Sequence, residues 1–239
     1  MISLNTSKIG SKTSELLLLL TILTLTFFVY FYPCWESEFL NWDDERYLTE
    51  NKALLSEDAF YWIWVETEMP DPYPITFTIL RLEYLCFGLN SVPFHYFNLL
   101  LHLLNIVLFT FFLSKIKLPK SIVSFSVFLY ALHPVQVETV MWISEIKNLL
   151  SAAFYWSSWL AFLHYLEDTG QRKRYYVLGV SLFIFSLASK TMTVTLPVSL
   201  TLWFWFFHRS QFTSLFLRFL PLWFLSLAFG LISIQSEKQ

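Results

Sequence analysis

Three short segments hold the residues best suited to chemistry. The first, Asn41-Trp42-Asp43-Asp44-Glu45, places three adjacent carboxylates just past the first long apolar run. Carboxylates so close repel one another and need water, a cation or fixed hydrogen-bond donors. A solvated acidic turn meets that need as simply as a functional site does, and a divalent metal held by Asp43, Asp44 and Glu45 is a further way of meeting it. The second segment, His133-Pro134 followed by Glu138, Trp142, Glu145 and Lys147, interrupts an otherwise apolar stretch. Proline breaks the helical ladder, and irregular backbone at membrane depth is tolerated only where protein or a wet cavity surrounds it. The spacing predicts a half-helix on which Glu138, Trp142 and Glu145 share one face toward an outward cavity. A kinked span whose polar groups pair with each other is the plainer alternative. The third is Lys190, within Ser189-Lys190-Thr191 at the end of an apolar run. It either snorkels to the headgroups or, opposite Lys147, receives a phosphate. His102 and Asn105, inside another apolar run, read as inter-helix glue.

Other site types are missing from the sequence. There is no G-x-x-x-x-G-K-[ST], no G-x-S-x-G and no H-E-x-x-H, so nucleotide hydrolysis, serine hydrolysis and zinc proteolysis find no support. Cys34 and Cys86 are too few for a disulfide framework or a structural zinc and read as free thiols.

Composition indicates the solvent. Of 239 residues, 56% are hydrophobic and 20% aromatic, against 14% charged and a net charge of -2. Disorder needs the opposite balance, and a nucleic-acid partner needs a basic excess. A mean hydropathy of +0.53 is more apolar than one soluble core can hide, which leaves the bilayer and its lipids.

Seven runs are long or apolar enough to be considered as spans: 15–34, 94–113, 121–143 broken at His133-Pro134, 149–166, 175–189, 192–208 and 212–233. With a cytoplasmic N-terminus, Lys8, Lys12, Lys115, Lys117, Lys120, Arg172, Lys173, Arg174 and Arg209 all fall inside, including every tight basic cluster. The apolar stretch 75–89 contains Arg81 and Glu83. Counting it as a span would turn those clusters outward, so it is expected as a helix lying in the outer loop or at the interface. The fold class expected is therefore all-α, a polytopic membrane protein of about seven transmembrane helices with a helical first outer loop. That loop, 35–93, carries twelve of the 18 acidic residues and only Arg46, Lys52 and Arg81 as cations. Ser56-Glu57-Asp58 is expected to cap a helix over 59–66.

Taken in order, Phe39-Leu-Asn-Trp-Asp43-Asp44-Glu-Arg-Tyr-Leu-Thr-Glu-Asn51, Tyr73-Pro74-Ile-Thr76, Asn98 to Asn105, Ala131-Leu-His133-Pro134-Val-Gln-Val-Glu138, Trp142-Ile-Ser-Glu145-Ile-Lys147-Asn148 and Ser189-Lys190 form a set. It resembles the N-terminal membrane region of GT-C glycosyltransferase-like proteins with C-terminal tetratricopeptide repeats, which include bacterial membrane repeat proteins and transmembrane O-mannosyltransferases. The likeness covers roughly residues 25 to 205 and departs at Ile146, where relatives commonly carry Arg.

The resemblance implies one GT-C-like membrane domain over 1–239, as the N-terminal part of a longer enzyme, with 35–93 inserted between the first two spans. It implies an inverting transfer of a sugar, such as mannose, from a polyprenyl- or dolichyl-phosphate donor to a protein or glycan hydroxyl on the non-cytoplasmic side. Asp43 and Asp44 would be catalytic, Lys147 and Lys190 would hold the donor phosphate, and His133, Glu138, Glu145, Tyr73 and Arg81 would line the cavity. No cofactor is required, with a divalent metal as an option. The competing expectations are a non-catalytic membrane scaffold or truncated remnant whose acidic loop binds a partner or cation, and a transporter, for which no inverted repeat is seen.

Overall fold

The computed structural model describes residues 6–66, 69–167 and 170–236, with side chains from residue 14 onward. Lys8 and Lys12, expected inside, and Glu68, one of the twelve acidic residues of 35–93, lie outside the described side chains. In chain order the helices are α1 (Thr6–Glu36), α2 (Lys52–Leu55), α3 (Ala59–Tyr61), α4 (Pro74–Phe87), α5 (Ser91–Lys115), α6 (Lys120–Leu132), α7 (Val135–Met141), α8 (Ile146–Glu167), α9 (Arg172–Ser189), α10 (Leu196–Phe207) and α11 (Phe212–Ser236). Short π- or 3-10-helical turns join several of them, and no strand occurs among the described residues.

Each of the seven apolar runs falls on helix, but among the described residues only three helices, Ser14–Glu36, Ser91–Lys115 and Arg209–Ser236, are long and apolar enough by themselves to cross a membrane. α8 and α9 reach 22 and 18 residues without meeting both conditions, whereas α6 and α10 are cut short by identifiable residues. Pro134 holds His133 in an extended conformation (ψ 134°), which ends α6 after 13 residues. Leu196 opens α10 with Pro197 in its first turn, and the helix runs 12 residues. Between α4 and α5 the chain turns at Gly88, whose φ of 61° is costly for other residues. Asn90 then caps α5 by accepting the Val92 N–H at 3.2 Å.

The interior is aromatic. Phe162 of α8, Phe183 of α9, Phe204 of α10 and Phe219 of α11 are fully buried in one cluster. α8 and α9 pack closely because Gly179 has no side chain: a Cβ there would stand 2.5 Å from the Phe162 ring. That approach lets Ser158 Oγ donate to Gly179 O at 2.8 Å. Large apolar side chains such as Phe28, Phe111, Phe206 and Phe224 remain exposed, as expected of helices that face lipid.

Polar bonds between helices fix the register. Asn105 donates to Leu149 O at 2.9 Å, and His102 Nε2 meets Ala131 O at 3.0 Å, the glue expected of both residues. Charge is divided between the two ends. Lys115 pairs with Glu167 and Lys120 with Glu15, so the starts of α1 and α6 meet the ends of α5 and α8 at one end of the bundle. The 22-residue α8 then carries its other terminus about 33 Å away, one bilayer core's thickness. Glu145 and Lys147 lie there.

The segment 37–90, expected as the first outer loop, folds over that far end, although not with the expected cap. Asp58 makes no capping bond, and 59–66 is a short α-turn followed by a π-helical turn. The cap in this loop is Asn51, whose side chain accepts the Leu54 N–H at 2.9 Å. The helix expected over 75–89 is present as α4, tied to the bundle by Thr76 Oγ1 donating to Ser189 O at 2.8 Å.

Candidate functional site

The site begins with a break in the chain. α7 ends at Met141, Trp142 is extended (φ -97°, ψ 117°), and a 3-10 turn over Ile143–Glu145 leads into α8. Glu138 and Glu145 therefore lie on different elements, and the expected shared helical face does not form. The break persists because tertiary bonds replace the lost ladder. Asn98 Nδ2 donates to Trp142 O at 3.1 Å, and the Ser144 N–H donates to Asp44 Oδ1 at 2.8 Å. Asp44 Oδ2 accepts the Leu40 N–H at 3.0 Å, so one fully buried carboxylate ties the acidic turn to the start of α8.

That arrangement aims its neighbours at each other. Lys147 Nζ lies 3.1 Å from Asp43 Oδ2 and 3.3 Å from Glu145 Oε1, and Lys190 Nζ lies 3.8 Å from Glu145 Oε2. Lys147 and Glu145 are nearly enclosed, with side chains 8% and 10% exposed, whereas Asp43 is 37% exposed and faces water. Tyr47 completes the cluster: its hydroxyl is 3.3 Å from Lys147 Nζ and donates to Asp71, and its ring centre is 4.4 Å from Lys147 Nζ. Asn148 donates to Glu145 from the next turn.

Burial and the hydrogen bond to Asp71 push the Tyr47 phenol well above its ordinary pKa, so it stays a donor at any physiological pH. Burial lowers the Lys190 pKa, an effect that Glu145, Asp71 and Asp43 oppose and Lys147 reinforces. Asp43 and Glu145 share the two lysines, while Asp71 meets the Tyr47 hydroxyl.

Several expected members stand elsewhere. His133 is exposed and caps α7, its Nδ1 accepting the Val135 N–H at 3.2 Å. Glu138 is also exposed, and no hydrogen bond or ion pair among the described residues joins either to the cluster. Pro134 turns the chain outward there, and the second break at Trp142 separates them from Glu145. Arg81 is buried beside α2, where its Nη1 donates to Leu54 O at 3.0 Å, so it staples α4 to the loop and does not line the cavity. Each Asp44 oxygen accepts one backbone N–H, so this carboxylate anchors the turn beside Asp43. The same two backbone bonds disfavour a metal on Asp43, Asp44 and Glu45, and no group of three or more His, Cys, Asp or Glu among the described residues is placed to hold one.

Tyr47, Asp71, Asn98 and Asn148 were not singled out from sequence. Tyr47, four residues after Asp43, and Asp71, flanked by Pro70 and Pro72, were the available signals.

Two recesses open near the cluster, one lined by Trp42, next in sequence to Asp43, and one by Asp71. An open groove of about 550 Å³ begins at Trp42 and runs past Glu45, Arg46, Glu50 and Lys52, with the Trp42 ring set edge-on to Trp142 at 5.4 Å. A smaller cavity of about 180 Å³ lies on the other side, bounded by Asp71, Tyr73, Thr191 and the outer part of α11. An apolar crevice of about 470 Å³ between α1, α5 and α6 lies at the opposite end of the bundle, by Glu15 and Lys120, apart from this chemistry.

Comparison with protein-family models, curated proteins and solved structures gives no match for this chain.

Proposed function

We propose that the chain is the membrane portion of a glycosyltransferase of the GT-C type. It would move a sugar from a polyprenyl- or dolichyl-phosphate carrier to a protein or glycan hydroxyl on the non-cytoplasmic face. Seven spans, a cytoplasmic N-terminus and membrane localisation belong to this reading. The resemblance described above supports it, and one observation carries it: Asp43, Glu145, Lys147 and Lys190, drawn from three distant segments, converge at the end of the bundle opposite the paired basic residues.

The chemistry suits these groups. Asp43, the more exposed of the two carboxylates ion-paired with Lys147, takes the proton of the acceptor hydroxyl. The acceptor oxygen bonds to the anomeric carbon as the bond from that carbon to the phosphate oxygen breaks. The electron pair leaves with the lipid phosphate, which gains one negative charge, and Lys147 and Lys190 stabilise it there. Glu145 and Tyr47 orient the two ammonium groups. The Trp42 groove is the acceptor's approach, since an exposed indole beside carboxylates suits either a sugar face or a peptide.

The experiment is sugar transfer in membranes containing this chain, supplied with labelled polyprenyl-phosphate mannose, with Lys190→Ala run in parallel. Transfer above control membranes, with a KM for donor raised about tenfold or more by Lys190→Ala, fits the loss of a phosphate contact. Transfer at background level in well-expressed membranes contradicts the reading.

A second reading, a non-catalytic scaffold, is favoured by the pairing of Lys147 with two carboxylates at once, which is how a purely structural buried cation is held.

A further inference from the structure

The cavity of about 180 Å³ beside Asp71 has a composition that selects its occupant. One wall is polar: Asp71, Tyr73 and Thr191. The other is apolar: Phe77 from α4 with Phe229 and Ile232 from α11. Asp71 also accepts the Tyr47 hydroxyl, which is 3.3 Å from Lys147 Nζ. The cavity is thus connected to the charged cluster through a single chain of hydrogen bonds.

An anion would meet the Asp71 carboxylate. An acyl chain would leave that carboxylate with the Tyr47 hydroxyl as its partner and its remaining lone pairs desolvated, which is unfavourable. A neutral polyol fits both walls, because its hydroxyls donate to Asp71 while its C–H face lies on Phe77 and Phe229. The cavity is large enough to hold a single sugar ring.

Resting on the glycosyltransferase reading, we propose that this cavity is the pocket for the sugar carried by the lipid donor. It admits a single neutral monosaccharide, and its phosphate end points toward Lys147 and Lys190. The lipid chain would leave along α11, where Ile232 is 49% exposed.

The test compares binding of two probes, polyprenyl-phosphate mannose and unglycosylated polyprenyl phosphate, to the full chain in nanodiscs. Ile232→Trp and, separately, Phe229→Trp fill the cavity from the lipid-facing helix, and Leu231→Phe, on the same helix but outside the cavity lining, is the control. Each Trp variant is expected to weaken the mannosyl lipid about tenfold or more while leaving the bare phosphate within about twofold. The Phe variant should leave both unchanged. Trp variants that weaken both lipids equally, or neither, overturn the sugar pocket while the donor reading stands. Wild-type chain that binds neither lipid overturns both.

Discussion

Asp44 and Ser144, a hundred residues apart in the chain, are joined by a 2.8 Å hydrogen bond from the Ser144 backbone N–H to the Asp44 carboxylate. With the 3.0 Å bond from Leu40 N–H to the other oxygen, this buried side chain holds both halves of the charged cluster in place. Asp44→Ala strands the buried Ser144 N–H at about 1–3 kcal/mol and frees the part-buried Leu40 N–H, so it should lower the unfolding midpoint of the detergent-solubilised protein by several degrees. Glu50→Ala, an exposed change in the same loop, should leave the midpoint unmoved. Equal midpoints for the two variants would mean that Asp44 anchors nothing.

Glu83 supplies a pH signature. It is buried on α4, neither carboxylate oxygen has a hydrogen-bond partner among the described residues, and burial raises its pKa to about 8. A carboxyl group with a folded pKa raised above its unfolded value lends stability fully present below about pH 4.5 and lost as pH rises through about 8. Glu83→Gln, which cannot ionise, should match wild type near pH 4.5 and become progressively more stable than wild type toward pH 8 and above. Thermal melts across that range check it, and a difference independent of pH would show that Glu83 is not desolvated.

The division of charge between the two ends of the bundle predicts the topology. With the exposed Cys86 replaced by Ser, a cysteine placed at Glu57 should react with an impermeant maleimide on intact cells, and one at Lys117 only after permeabilisation. Labelling of both from the same side would invalidate the arrangement of spans.

Periodicity and basic clusters revealed where helices run, because apolar length and Pro or Gly punctuation are local properties. Ends set by local chemistry were legible in the same way: His133-Pro134 stops α6, and Gly88 stops α4. The break at Trp142 was not, since it depends on Asn98 of α5 and Asp44 of the outer loop, donors and acceptors that no window of sequence brings together. That one break explains the expectation that failed at the site, since it separates Glu138 from Glu145, and it also brings the Ser144 N–H to Asp44, an anchoring bond that no local pattern shows. Asp43, Glu145, Lys147 and Lys190 were all named from sequence, whereas Tyr47 and Asp71, which bridge them to the small cavity, show their value only once the outer loop is folded over α8.

Asp43→Asn keeps the shape and most of the contacts of the half-exposed carboxylate while removing its capacity as a base, and Glu138→Gln makes the same chemical change at an exposed residue outside the cluster. Initial rates of mannose transfer from labelled polyprenyl-phosphate mannose, in membranes with matched expression, compare the two most directly. The account predicts that Asp43→Asn lowers the rate by about 10² or more and Glu138→Gln leaves it within about twofold. Near-wild-type transfer by Asp43→Asn would contradict it and leave the acidic turn as structure alone.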